Sequence, residues 1–205
     1  MLVGEVPKRY FLHKKLLCYY STFFDAAFNG AFQESISGEL KLPEEEARVF
    51  DVFVHWLYRG SLPLCWYGMS CATPSDCVSV YAMGEKWFIP RLQNDVCDRV
   101  RFWFVADELP SSQFFNLLYE ATSPGCKLRQ FFVKLFIYIA LRKIKPDVVN
   151  SILEQNGDLA IDVAKETFLK LSVKVGPQSG FRSPERLPAC EFHVHGSKTI
   201  CYACS

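Results

Sequence analysis

The sequence predicts a mostly helical α/β fold of the α+β kind, with a helical C-terminal extension. Two observations predict it. A few short stretches (Leu2-Val3-Gly4, Tyr10-Phe11-Leu12 and Glu39-Leu40-Lys41-Leu42) read as strands. Most of the remaining apolar residues fall at helical spacing, as Phe50, Phe53, Val54 and Leu57 do, between proline and glycine punctuation.

The elements follow in order. Leu2 to Gly4 and Tyr10 to Leu12 read as a hairpin, with Pro7 and Lys8 in the turn. Leu16 to Tyr20 reads as a short helix, and Ser21 as the N-cap of the next, which Gly30 ends. The strand at Glu39 to Leu42 stops at Pro43. Glu44, Glu45 and Glu46 then fit the first turn of a helix, where carboxylates complement the helix dipole. Residues 61–74 form a loop. Ser75 or Asp76 is placed to cap a helix that runs to about Phe88, and Pro90 to start one that ends near Phe104. Phe50, Phe53, Leu57, Tyr81 and Phe88 are the expected core of this half. Further helices are expected over Ser111–Ala121, Leu128–Arg142 and Asp147–Val173. The second is apolar nearly all round and should lie at the centre of its bundle. Gly176 to Pro188 carries three prolines and reads as a flexible linker to a Cys/His tail. The expected organisation is residues 1–104, 105–175 and 176–205.

Composition excludes several functional classes. Half of the 205 residues are apolar and 15% aromatic, which suffices for a packed core. Lys plus Arg (23) balances Asp plus Glu (22), so there is no basic footprint for nucleic acid and no polybasic membrane signal. No run reaches the roughly 18 apolar residues that span a bilayer, and the first fifteen residues lack a signal peptide's apolar centre. A cytoplasmic or nuclear location is expected. Nine cysteines without a secretory signal read as thiols, with Cys18, Cys77 and Cys97 inside apolar helical patterns.

No phosphate-binding loop, dinucleotide-binding glycine pattern, nucleophile elbow or HExxH motif is present. His13 and Cys18 make a poor nucleophilic pair, since one lies at an element boundary and the other on an apolar helix face. A non-catalytic protein with no cofactor is expected. The exception is the tail. Cys190-Glu-Phe-His193-Val-His195 and Cys201-Tyr-Ala-Cys204 place two of four histidines and three of nine cysteines in a short span. Cys-x2-His and Cys-x2-Cys spacing suits a structural, tetrahedral zinc. The candidate ligands are Cys190, His193 or His195, Cys201 and Cys204, set against an unstructured tail of reactive thiols.

Residues 11–62 carry a resemblance. Phe11-Leu-His-Lys14, then Phe28-Asn-Gly-Ala-Phe-Gln-Glu-Ser35, the strand at Glu39–Leu42, and Trp56-Leu-Tyr-Arg-Gly60 occur in that order. Tyr81-Ala-Met-Gly-Glu-Lys-Trp-Phe-Ile-Pro-Arg-Leu92 follows as a helical hairpin. Together these resemble the BTB/POZ domain, and most of all its fungal branch. The resemblance covers roughly residues 2–104. It implies a protein-interaction module. It also implies an adaptor role for a cullin-RING ubiquitin ligase, with Phe32 and Glu34 of Phe32-Gln-Glu34 docking cullin three. The alternative is a dimer-forming scaffold in transcriptional or other regulation. Homodimers in this family imply contacts from Leu2, Leu16, Tyr19, Tyr20 and Phe24. The chain starts inside the first strand, and the resemblance then implies either that the sequence is truncated or that dimerisation is reduced. Substrate-receptor repeats and DNA-binding fingers are not recognisable.

Overall fold

The computed structural model of the chain describes residues 1–63, 73–104, 109–142, 145–172, 182–195, 201 and 203. It divides into two compact units, Met1–Val96 and Cys97–Ser205.

The first unit pairs a small sheet with a cluster of helices. Strand β1 (Leu2–Val3) lies in the middle, antiparallel to β2 (Lys8–Arg9) and parallel to β3 (Lys41–Leu42). The hairpin differs from expectation by its partner: Leu2 faces Arg9 and Val3 faces Lys8. Tyr10 only extends the ladder, its N–H donating to Met1 O at 2.8 Å. The four residues between the strands, with Gly4 at φ +92, make a longer turn than Pro7-Lys8 suggested.

The helices are α1 (Lys14–Tyr20), α2 (Thr22–Asn29), α3 (Gln33–Ser37), α4 (Ala47–Arg59), α5 (Pro74–Lys86) and the start of α6 (Pro90–Trp103). Ser21 caps α2 as its sequence position implies: its Oγ accepts from Phe24 N at 3.1 Å and donates to Trp87 O at 2.6 Å. Residues Gln33–Ser37, within the stretch that carries the family resemblance, form the short helix α3, closed by Gly38 at φ +66. Glu46 is the N-cap residue of α4, so the three acidic residues precede that helix rather than filling its first turn. They are used in ion pairs instead, Glu44 and Glu45 with Lys86 and Glu46 with Arg48. Thr73 caps α5 in place of Ser75 or Asp76. Its Oγ1 accepts from Asp76 N at 3.1 Å, and Asp76 accepts from Thr73 N at 2.8 Å, a capping box.

The core of this unit is aromatic. Phe24, Phe50, Phe53, Tyr81 and Trp87 have no exposed surface, and Trp56 and Leu57 are nearly as enclosed. Phe53 sits with its ring 5.0 Å from Trp87, 5.4 Å from Phe50 and 6.2 Å from Trp56. Phe88 is a correction: it is 64% exposed, and its neighbour Trp87 fills the core. The helix stops at Lys86 and the chain reverses through Phe88 at φ +53, which turns its side chain out of the helical phase.

The second unit is a helical bundle with a packed tail. Helices α7 (Ser112–Ala121), α8 (Lys127–Ala140), α9 (Pro146–Gln155) and α10 (Gly157–Ser172) follow one another. As expected, α8 is central: nine of its residues are buried, including Phe131, Phe132 and Phe136. The buried Arg129 closes the end of α7, its guanidinium donating to Tyr119 O at 2.7 Å, Thr122 Oγ1 at 3.0 Å and Thr122 O. Asp147–Val173, read as one helix, is two. Asn156 breaks it at φ −133, and its amide donates to Ile152 O and to Ser112 Oγ on α7, each at 2.8 Å. Residues 182–188, expected within a flexible linker, are packed: Ser183 and Pro184 are buried, and Arg101 donates to Leu187 O at 2.6 Å. Two 3-10 turns, Pro184–Arg186 and Ala189–Phe192, carry the chain along α8. No described helix is long and apolar enough to cross a membrane.

Candidate functional site

Two places hold the residues singled out by sequence. One is the surface of the first unit around α3. Phe32 occupies the N-cap position of α3, with an extended backbone that lifts its ring off the helix; it is 59% exposed. Glu34 lies in the first turn of α3, where the helix dipole favours its charge, and is half-buried. Ile36, which sequence reasoning passed over, stands 90% exposed four residues after Phe32. Phe32 and Ile36 are thus two exposed apolar side chains within one five-residue span that also carries the Glu34 carboxylate.

The dimer candidates divide. Tyr19 is 77% exposed, and Leu2, Leu16 and Tyr20 are partly covered. The Tyr20 ring lies 5.0 Å from both Tyr19 and Trp56. Phe24 must be withdrawn as a surface contact. It is wholly buried, its ring 5.2 Å from Trp87 and 6.3 Å from Phe53, because the Ser21 cap turns this face of α2 inward. An open groove of about 360 Å³ lies nearby, lined by Tyr10, Phe11, His13, Leu17, Phe28 and Glu39 among others.

His13 and Cys18 do not form a pair. His13 Nδ1 lies 2.8 Å from the Tyr58 hydroxyl, while the Cys18 thiol is directed at Phe24 O. Burial pushes the Cys18 thiol above its ordinary pKa, aided by Asp25, so it is a poor nucleophile. Cys97 is fully buried and its thiol is raised further still, by burial first and then by Cys126. Asp76 is set oppositely. Burial would raise its carboxyl, but the Arg48 guanidinium at 2.8 Å and the Thr73 backbone and hydroxyl outweigh it and hold its pKa low.

The second place is the tail. Phe192 is wholly buried, its ring edge-on to Phe131 at 5.3 Å. Lys127 donates to Glu191 O at 3.0 Å, and Lys134 pairs with the Glu191 carboxylate. His193, also without exposed surface, is held at both ring nitrogens: Nδ1 lies 3.2 Å from Cys201 Sγ and Nε2 3.0 Å from Asp98 Oδ1 on α6. His195 Nε2 lies 3.4 Å from Cys190 Sγ. The ligand atoms of Cys190, His195 and Cys201 are all within 4.8 Å of one another. Cys190 is in a disulfide whose partner is not among the described residues, whereas Cys201 is reduced. Cys204 lies outside the described residues. Asp98 is the residue that sequence reasoning missed; ninety-five positions separate it from His193.

Comparison with known proteins adds one finding. No curated protein and no solved structure matches the chain. The family model described as the BTB/POZ domain does match, over residues 1–101. That span takes in the three-stranded sheet, the capped helical pair α1–α2, the Phe32 segment, α4, α5 and all but the last two residues of α6. The N-terminal half of this chain is therefore a BTB/POZ domain, a protein–protein interaction module.

Proposed function

We propose that the chain is a non-catalytic adaptor whose BTB/POZ domain docks cullin three of a cullin-RING ubiquitin ligase, leaving the second unit for another partner. The observation that carries this reading is Phe32 standing 59% exposed at the mouth of α3, with Ile36 also exposed and Glu34 in the first turn of the same short helix. An aromatic anchor and an aliphatic neighbour next to one charge are the elements of an interface hot spot. The site offers no reacting group. Its contribution is apolar area removed from water and one carboxylate to orient a basic partner.

Titration calorimetry of the purified chain with cullin three tests this. Phe32→Ala should weaken binding by more than about 1 kcal/mol, the usual mark of an anchor, and the circular dichroism spectrum should stay native. Unmutated protein that shows no binding would refute the adaptor reading. The second reading is then a dimer-forming scaffold without a ligase link, favoured by the exposure of Tyr19 beside Leu2, Leu16 and Tyr20. Light scattering that finds only monomer at high concentration would count against that scaffold.

A further inference from the structure

We propose that Cys190, His193, His195 and Cys201 hold a zinc ion in the reduced chain, with Asp98 orienting His193, and that this closed site fixes the tail to α6.

The geometry leads there in three steps. First, the donors are the right kind, and two Cys–His pairs among them stand at the right separation. Zinc–sulfur and zinc–nitrogen bonds of about 2.3 and 2.0–2.1 Å in a tetrahedron put neighbouring donors roughly 3.5 Å apart. The Cys190–His195 and Cys201–His193 separations are 3.4 and 3.2 Å. Cys190, His195 and Cys201 converge as a trio, and His193 reaches Cys201 from the buried side.

Second, His193 has the outer partner a ligand histidine needs. With Nε2 3.0 Å from the Asp98 carboxylate, the ring keeps its proton there and leaves the Nδ1 lone pair directed at the cysteine side. In the metal-free chain the Cys201 thiol can donate to that nitrogen, and zinc would take the place of this proton. Arg101 lies 3.5 Å from the same Asp98 carboxylate and is itself tied to Leu187 O, so the orienting group is held in place.

Third, one side of the site is enclosed, while Cys190 is half-buried and His195 lies at the surface. His193 and Phe192 are wholly buried and Cys201 nearly so. Two thiolates and two neutral imidazoles with no open position make a structural site, not a catalytic one.

Cys190 in a disulfide cannot donate as a thiolate. Reduction by a dithiol, taking two electrons and two protons into the disulfide, gives two thiols. Zinc then displaces the proton from Cys190 and from Cys201. Metal and disulfide are alternative states of the same sulfur, and a reducing environment favours the metal.

The experiment uses the full chain, expressed without a histidine tag and purified under a dithiol reductant. Metal analysis should find close to one zinc per chain, and cobalt should replace it with the visible bands of a tetrahedral thiolate site. Competition with a chromophoric chelator should show Asp98→Asn weakening zinc roughly 10- to 100-fold, as outer partners of ligand histidines do. Cys190→Ser should lower affinity further. Thermal unfolding should show a zinc-dependent rise for the second unit. Zinc near zero, or retained at full affinity in Cys190→Ser, overturns the site. Asp98→Asn that folds natively and binds as the parent does overturns the orienting role. Circular dichroism of each variant separates loss of metal from loss of fold.

Discussion

Replacing Phe53 by Ala removes a ring that has no exposed surface and stands within ring-packing distance of Phe24, Phe50, Trp56 and Trp87. Phe→Ala in a core costs about 3–5 kcal/mol, made of lost transfer energy and the cavity left behind. Four rigid aromatic neighbours, themselves locked by other contacts, collapse poorly into such a cavity. Favourable ring pairs add about 0.5–1.5 kcal/mol beyond area. The expected loss is therefore in the upper half of that range, about 4–5 kcal/mol. Against a domain stability of about 5–15 kcal/mol this is a large fraction. Urea unfolding followed by tryptophan fluorescence reads it directly, since Trp56 and Trp87 flank the site. Phe11→Ala is the control: that ring is 86% exposed, and the change should stay within about 0.5 kcal/mol. A loss below about 1.5 kcal/mol for Phe53→Ala, or an equal loss for both variants, would refute the placement of the core.

Further outcomes follow from other elements. Phe88→Gly should be neutral or stabilising by up to about 1 kcal/mol, because glycine relieves φ +53 and little packing is lost; a clear destabilisation by urea titration would restore Phe88 to the core. Asp76 has a depressed pKa, so its contribution is full above the unfolded value near 4 and fades as pH falls through the lower folded value. Asp76→Asn should lose about 1–3 kcal/mol at neutral pH and flatten the acid limb of the stability profile; an unchanged limb would contradict the Arg48 pairing. Arg129→Met should cost about 1–3 kcal/mol by leaving the carbonyls at the end of α7 unsatisfied, and hydrogen exchange should show that end opening first.

What the sequence made legible follows the range of each interaction. The α4 face, the Ser21 cap, the Pro90 start and the apolar α8 are local signals, and each appears where its residues placed it. The strand at Leu42 was legible because it ends at a proline. Misreadings came where a distant partner decided the matter. Glu44 and Glu45 fit a helix start until Lys86, some forty residues on, takes them. Phe88 and Trp87 compete for one core position, and which one wins depends on how the α5–α6 reversal turns. Asn156-Gly157 was a readable break, outweighed by the long apolar period on either side. In the tail, Cys and His spacing suggested a ligand set, but only the fold brings Asp98 to His193.

The Ser21 hydroxyl has two simultaneous tasks, and they narrow what chemistry position 21 admits. It accepts from Phe24 N and donates to Trp87 O. Aspartate, a good cap, has no hydrogen to give at neutral pH and would set its charge against the Trp87 carbonyl. Alanine would do neither. Threonine keeps both functions but needs room for a methyl group at a buried position. A helix start and a closure sixty-six residues away thus share one hydroxyl, its lone pair serving the first and its proton the second. The hydroxyl itself is satisfied in full only once the turn after α5 has brought the Trp87 carbonyl to it. Variation there among natural relatives should be confined to serine and threonine, even though local helix capping alone would accept aspartate or asparagine as readily.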